Sequence, residues 1–137
     1  MKDALLVAVG GSIGALTRYA TGWAAAKVLG KDFPWGTLAV NLVGCFIMGL
    51  VLEVLADLES TAAVAGTRTT QFQIAFWRQG VAIGFLGALT TFSSFGADVI
   101  RQVEAGRAAT SLINIAANVV LSLSAVWLGV ILMRAIR

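Results

Sequence analysis

The sequence predicts an all-α membrane protein of four transmembrane helices, folded as a single domain over residues 1–137. Three observations carry that reading. Apolar residues make up 58% of the chain and charged residues 12%, against roughly 25% charged in a soluble domain. Four apolar stretches reach the length of about 20 residues that a helix needs to cross the hydrocarbon layer. Trp23, Trp35, Trp77 and Trp127 fall toward the ends of those stretches, where indole rings favour the lipid–water interface. A helix buried in a water-soluble fold would carry a charged face, and these stretches carry none.

The first span is expected over about 4–28. It opens with "MKDALLVAVGG", which starts like a signal peptide but runs on too long, and is read as a span. After "GKDFP" comes the second span, about 35–56, and then a polar connection from Asp57 to about Thr70. The third span is expected over about 77–100, and "RQVEAGR" leads to the fourth, about 109–134. Gly10 and Gly14 are four apart, as are Gly11 and Ala15, and Cys45 and Gly49. Small residues at this spacing let helix backbones approach closely in lipid. Cys45 is the single cysteine, so no intrachain disulfide forms and the thiol is read as a small packing group.

Charge excludes some functions and leaves orientation open. The net charge of +3 comes without a basic cluster or interleaved aromatics, so nucleic acid is not a partner. With no histidine, histidine-based metal or acid–base chemistry is out of reach. An even number of spans puts both termini on one side. That side carries Lys2, Arg68, Arg78, Arg134 and Arg137; the other carries Lys27, Lys31, Arg101 and Arg107. Basic residues normally set orientation by facing the cytoplasm, and five against four sets almost nothing. Either the first helix decides alone, or the chain inserts both ways and pairs as an antiparallel, dual-topology homodimer.

Polar residues inside a span are the strongest pointers to function. Arg18 stands inside the first span, where a charge costs about 3 kcal/mol on insertion scales; it either snorkels to the surface or faces a wet vestibule and gathers anions. Asn41 is the lone amide of the second span, and lone amides often serve as interhelical glue. Ser111, Asn114, Asn118 and Ser122 form one stripe on the fourth span, either a seam against another helix or the wall of a path. In "GALTTFSSFGAD", residues 87–98, the hydroxyls of Thr90, Thr91, Ser93 and Ser94 surround Phe92 and Phe95, with Gly87 and Gly96 to either side. These residues disfavour a continuous helix, so the third helix is expected to break there. The carbonyls and amides of such a break must find protein, water or ions, and transport proteins build ion sites this way. Carbonyls suit a cation, while amides and hydroxyls suit an anion. A phenyl ring adds a positive edge that touches an anion without holding it tightly. Small, strongly hydrated anions gain most from such donors. No nucleophile with a base, phosphate loop or metal-ligand cluster is present, so the chain is not read as an enzyme.

Together, "GALTTFSSF", "GGSIGALTRY" and "GTLAVNLVGCFIMG" resemble the Fluc (CrcB-like) fluoride channel family over essentially the whole chain. The resemblance implies an antiparallel homodimer in a bacterial-type plasma (inner) membrane, with lipid around it and two fluoride pathways. It implies a passive channel through which cytoplasmic fluoride leaves down its gradient. It further implies a structural sodium ion at the dimer centre, held by the backbone carbonyls of Gly87 and Thr90. Phe92 and Phe95 would line the pore with Asn41 as its amide, Thr91, Ser93, Ser94 and Ser122 as hydroxyls, and Arg18 in the vestibule. This chain departs from the family pattern at Asp98, where a glutamate is usual, at the length of the connection after Asp57, and at Asn118, in place of an aromatic. Two rival readings remain: a proton-coupled exporter of the small multidrug type, which needs a carboxylate at mid-span, and a structural subunit that conducts nothing.

Overall fold

The computed structural model describes residues 1–137, and all its regular structure is helical. Four helical stretches are long and apolar enough to cross a membrane: Lys2–Leu29, Trp35–Ala65, Arg68–Glu104 and Ala108–Ala135. The first and second spans are uninterrupted α-helices. The third is assembled in pieces: an α-helix Arg68–Ala75, a π-wound stretch Phe76–Leu86, an α-turn Gly87–Leu89 and, beyond Thr90 and Thr91, an α-helix Phe92–Glu104. The fourth carries a π-wound turn, Ala117–Leu121, between α-helices Ala108–Ala116 and Ser122–Ala135.

The polar connection expected from Asp57 to about Thr70 is mostly helix. The second span runs on to Ala65 and the third begins at Arg68, leaving Gly66 and Thr67 as the joint. Hydropathy marks where a helix leaves the lipid, not where it stops. The residues "TAAVA" are largely good helix formers and keep the rod going. Thr67 then caps the next helix, its Oγ1 accepting the Thr70 N–H at 3.2 Å. Arg78 and Glu59 pair across this helical hairpin. At the other end of the bundle, Gly30 and Gly106 take φ of 83° and 71°, left-handed values that suit glycine at a helix end.

Glycines set the packing. A Cβ on Gly10 would strike the Gly80 carbonyl, and one on Gly14 the Phe85 carbonyl, so the first span lies backbone to backbone on the first half of the third. Gly49 meets the Val126 carbonyl and Gly129 meets that of Phe46, which seats the second span on the fourth in the same way. Of the small-residue pairs in the first two spans, Gly10 and Gly14 make such contacts together, Gly49 makes one, and Ala15 faces outward. Between the pairs lies a slim core of Val40, Val51, Leu55, Leu86 and Leu89. Most large apolar side chains, among them Leu16, Ile83, Leu112, Leu123 and Trp127, face outward. That arrangement would be costly in water but is ordinary in hydrocarbon, where lipid tails are as apolar as leucine.

Candidate functional site

Mid-way along the third span the backbone leaves the helix for two residues. Thr90 has φ −78° and ψ 155°, and Thr91 has φ −153° and ψ 115°. Local chemistry favours the change. The Thr90 hydroxyl donates to the Leu86 carbonyl at 2.9 Å, closing the first half. Thr91 Oγ1 accepts the Ser94 N–H at 3.1 Å and opens the second. The Thr91 hydroxyl also donates to Ser94 Oγ at 3.0 Å and lies 3.2 Å from Ser93 Oγ.

Across from these residues, the amide of Asn41 grips the interruption. Its Oδ1 accepts the Thr91 N–H at 2.8 Å and its Nδ2 donates to the Thr91 carbonyl at 3.3 Å. A continuous helix would give that N–H to the Gly87 carbonyl, so the Gly87 oxygen loses its helical donor at an exposed position. The remaining Asn41 hydrogen goes to Asn118 Oδ1 at 2.9 Å. Asn118 Nδ2 donates onward to Asn114 Oδ1 at 2.8 Å and to the Asn114 carbonyl at 3.2 Å. Asn114 Nδ2 donates to Gln102 Oε1 at 3.4 Å. Ser111 Oγ donates to the Val99 carbonyl at 3.3 Å. Ser111, Asn114 and Asn118 are buried inside the chain, so this part of the fourth-span stripe is a seam. The side-chain bond from Asn118 to the Asn114 carbonyl competes with the helical ladder where the π-wound turn begins.

Two hollows with polar groups in their walls flank the seam. The first, of about 390 Å³, is lined in part by Arg18, Thr37, Thr91 and Ser94 and holds one guanidinium and no carboxylate. Arg18 Nη1 lies 3.5 Å from the Thr90 carbonyl, and Arg18 takes part in no ion pair. The second hollow, of about 370 Å³, opens at the end of the bundle among Asp98, Arg101, Gln102 and Arg107. Thr37 lines both and donates to Asp98 Oδ2 at 2.9 Å, while Arg101 pairs with Asp98 Oδ1 at 2.8 Å.

Asn41, Thr90, Thr91, Ser93, Ser94 and Arg18 thus converge on one neighbourhood. Phe95 is 7% exposed, but Phe92 turns out of the chain at 82%, with ring centroids 5.5 Å apart and planes tilted by 60°. Ser122 bonds to none of the others; its buried Oγ has no hydrogen-bond partner. Sequence reading missed Thr37 and Gln102. Both carried a signal: Thr37 precedes Asn41 by four residues and Gln102 follows Asp98 by four, so each shares a helical face with a residue already singled out.

The chain is similar in sequence to known proteins over nearly its whole length. The family model described as CrcB-like protein, Camphor Resistance (CrcB), matches residues 5–130. The fluoride-specific ion channel FluC of Rhizobium etli is 45% identical over 136 residues, 99% of each chain. The protein of that name from Vibrio campbellii is 42% identical over 90% of this chain and 87% of its own. That from Acidobacterium capsulatum is 38% identical over 93% and 92%.

Proposed function

The chain belongs to the CrcB-like family, and from that premise we propose that it is a fluoride-specific channel through which cytoplasmic fluoride leaves passively across a bacterial inner membrane. It is an integral, multi-pass membrane protein of a family of ion channels, not an enzyme. The observation that carries the proposal is the hollow beside Thr90 and Thr91, with one guanidinium, hydroxyls and no carboxylate. Arg18 raises the local anion concentration. The hydroxyls of Ser93 and Ser94 replace part of the water around fluoride, while that of Thr91, which donates to Ser94 Oγ, sets their position. The unpartnered Ser122 Oγ offers another donor further along the fourth span. The Phe92 and Phe95 ring edges give a weak contact that lets the ion move on.

For Asn41, expected as the pore amide, the bonds within the chain favour a supporting role. Both of its N–H groups are engaged, by Thr91 and by Asn118, so its part in conduction is to hold the backbone that carries the hydroxyls. Pairing with an inverted second copy supports the site: Phe92, Ser93 and Gly87 face outward on the single chain and need a partner surface. Sodium fits the Gly87 carbonyl, which has lost its helical donor; the Thr90 carbonyl has Arg18 as a competitor. In the paired state, Gly87 and Thr90 of each copy would offer oxygens to one sodium ion, whose charge offsets carbonyl dipoles left without N–H partners.

The exporter reading requires a mid-span carboxylate open to exchange. Asp98 is bonded to Thr37 and Arg101, and Glu53 to Arg134 and Arg137, which argues against it. Purified protein in liposomes loaded with potassium fluoride tests the proposal. Rapid efflux on adding a potassium ionophore, independent of a proton gradient, is the expected result; efflux equal to that of protein-free liposomes overturns it.

A further inference from the structure

Four side-chain amides, three of them buried and Asn41 partly so, form one directed chain through the interior. Counting from the break, the donors run Thr91 N–H to Asn41, Asn41 to Asn118, Asn118 to Asn114, and Asn114 to Gln102. Every link points the same way, so each amide polarises the next and the links reinforce one another. Asn114, Gln102 and Asn118 are 0%, 4% and 5% exposed, with no water to take over a lost bond. The chain begins where the third span leaves the helix at Thr90 and Thr91 and ends at the hollow at the end of the bundle, which Gln102 lines.

We propose that Asn118 and Asn114 are positioning residues: they fix the rotamer of Asn41 and, through it, the backbone of Thr91. The chemistry leaves Asn41 little choice. Its amide can meet both the N–H and the C=O of Thr91 only in one orientation, and Asn118 Oδ1 takes the hydrogen that would otherwise be unpaired in that orientation. Asn118 is itself held against swinging away by two bonds to Asn114. This deepens the channel reading and rests on it, because the hydroxyls of Thr91 and Ser94 hang from the backbone so fixed.

The test joins fluoride efflux from liposomes with hydrogen–deuterium exchange at Thr91 in wild type, Asn118→Leu, Asn41→Leu and the double variant. Leucine has the same number of side-chain heavy atoms and the same branch point as asparagine but no polar atom; Asn118→Ser, which is smaller, serves where the bulkier leucine variant is poorly folded. Asn118→Leu is expected to slow efflux and to speed Thr91 exchange, each by about fivefold, the size one hydrogen bond carries. The double variant is expected to be no slower than Asn41→Leu alone, because one residue acts through the other. Thr91 exchange equal to wild type, or losses of efflux that multiply in the double variant, would overturn the proposal and make Asn118 a pore-lining group in its own right. A wild type without fluoride efflux whose Thr91 exchange still answers to Asn118 would keep the amide chain and sink the channel reading instead.

Discussion

The two halves of the third span are held by opposite means. From Arg68 to Leu89 the span lies on glycines: Gly10 and Gly14 bring the first span against the backbone at Gly80 and Phe85, with no side chain between. From Phe92 to Glu104 it is held by polar side chains, through Gln102 to Asn114 and the Val99 carbonyl to Ser111, while Asn41 grips its start at Thr91. Glycine contact brings two backbones together with no side chain between, here over the π-wound stretch Phe76–Leu86. Amide contact tolerates irregular backbone, because the side chain supplies the partner that the helix withdrew. The two residues that leave the helix altogether, Thr90 and Thr91, and the hydroxyls beside them lie on the amide side of the junction.

The contrast breaks most visibly at the glycines. In Gly14→Val the new carbons meet the Phe85 carbonyl, which belongs to backbone and cannot turn aside. Overpacking of this kind costs about 3 kcal/mol at the upper end of its range. The expected result is a sharp loss of monodisperse protein in size-exclusion chromatography and a large fall in melting temperature. A variant that melts within a degree of wild type would mean that the two backbones are not in contact.

On the amide side, Asn41→Leu keeps the branched shape but strips the Thr91 N–H and C=O of their partner. Each stranded group in an apolar setting costs about 1–3 kcal/mol, part of which a shifted water or hydroxyl recovers. The variant should fold, melt earlier than wild type by less than Gly14→Val, and lose most of its fluoride efflux. Full efflux would separate the Asn41 grip from conduction. Thr91→Val keeps the branched shape and removes the oxygen that accepts the Ser94 N–H. The loss is that of one helix cap, about 1 kcal/mol. A small downward shift in melting temperature is expected, with a partial loss of efflux.

How much of this could be read beforehand follows the same division. Hydropathy located the four spans because lipid imposes one long-range rule on every residue it touches. It gave no sign that the second helix runs nine residues further, from 56 to Ala65, because the rule lapses once the helix is in water. The glycine spacings were legible because helix–helix contact repeats with the helical turn. The change of backbone at Thr90 and Thr91 had a local cause in threonine and serine side chains, so the stretch stood out in the sequence. Who bonds to whom did not. Asn41 meets Asn118 across 77 positions of sequence, and nothing in either neighbourhood names the other. Gln102 was passed over because "RQVE" looks like the polar end of a span, although its bond is made inside.

The finest test concerns a residue on which the fold depends least. Phe92 is 82% exposed on the single chain, yet its ring stands 5.5 Å from that of Phe95, which is nearly enclosed. If Phe92 were only a lipid-facing apolar group, isoleucine would serve equally well, since both are at home in hydrocarbon. If its ring edge touches the ion, isoleucine removes the only electropositive feature that side chain has. Phe92→Ile should therefore leave melting temperature and oligomeric state as they are and slow fluoride efflux several-fold. The amide side of the span would then differ from the glycine side in function as well as in packing. Efflux at the wild-type rate would confine Phe92 to a structural surface and move the ion path toward Arg18 and the hydroxyls alone.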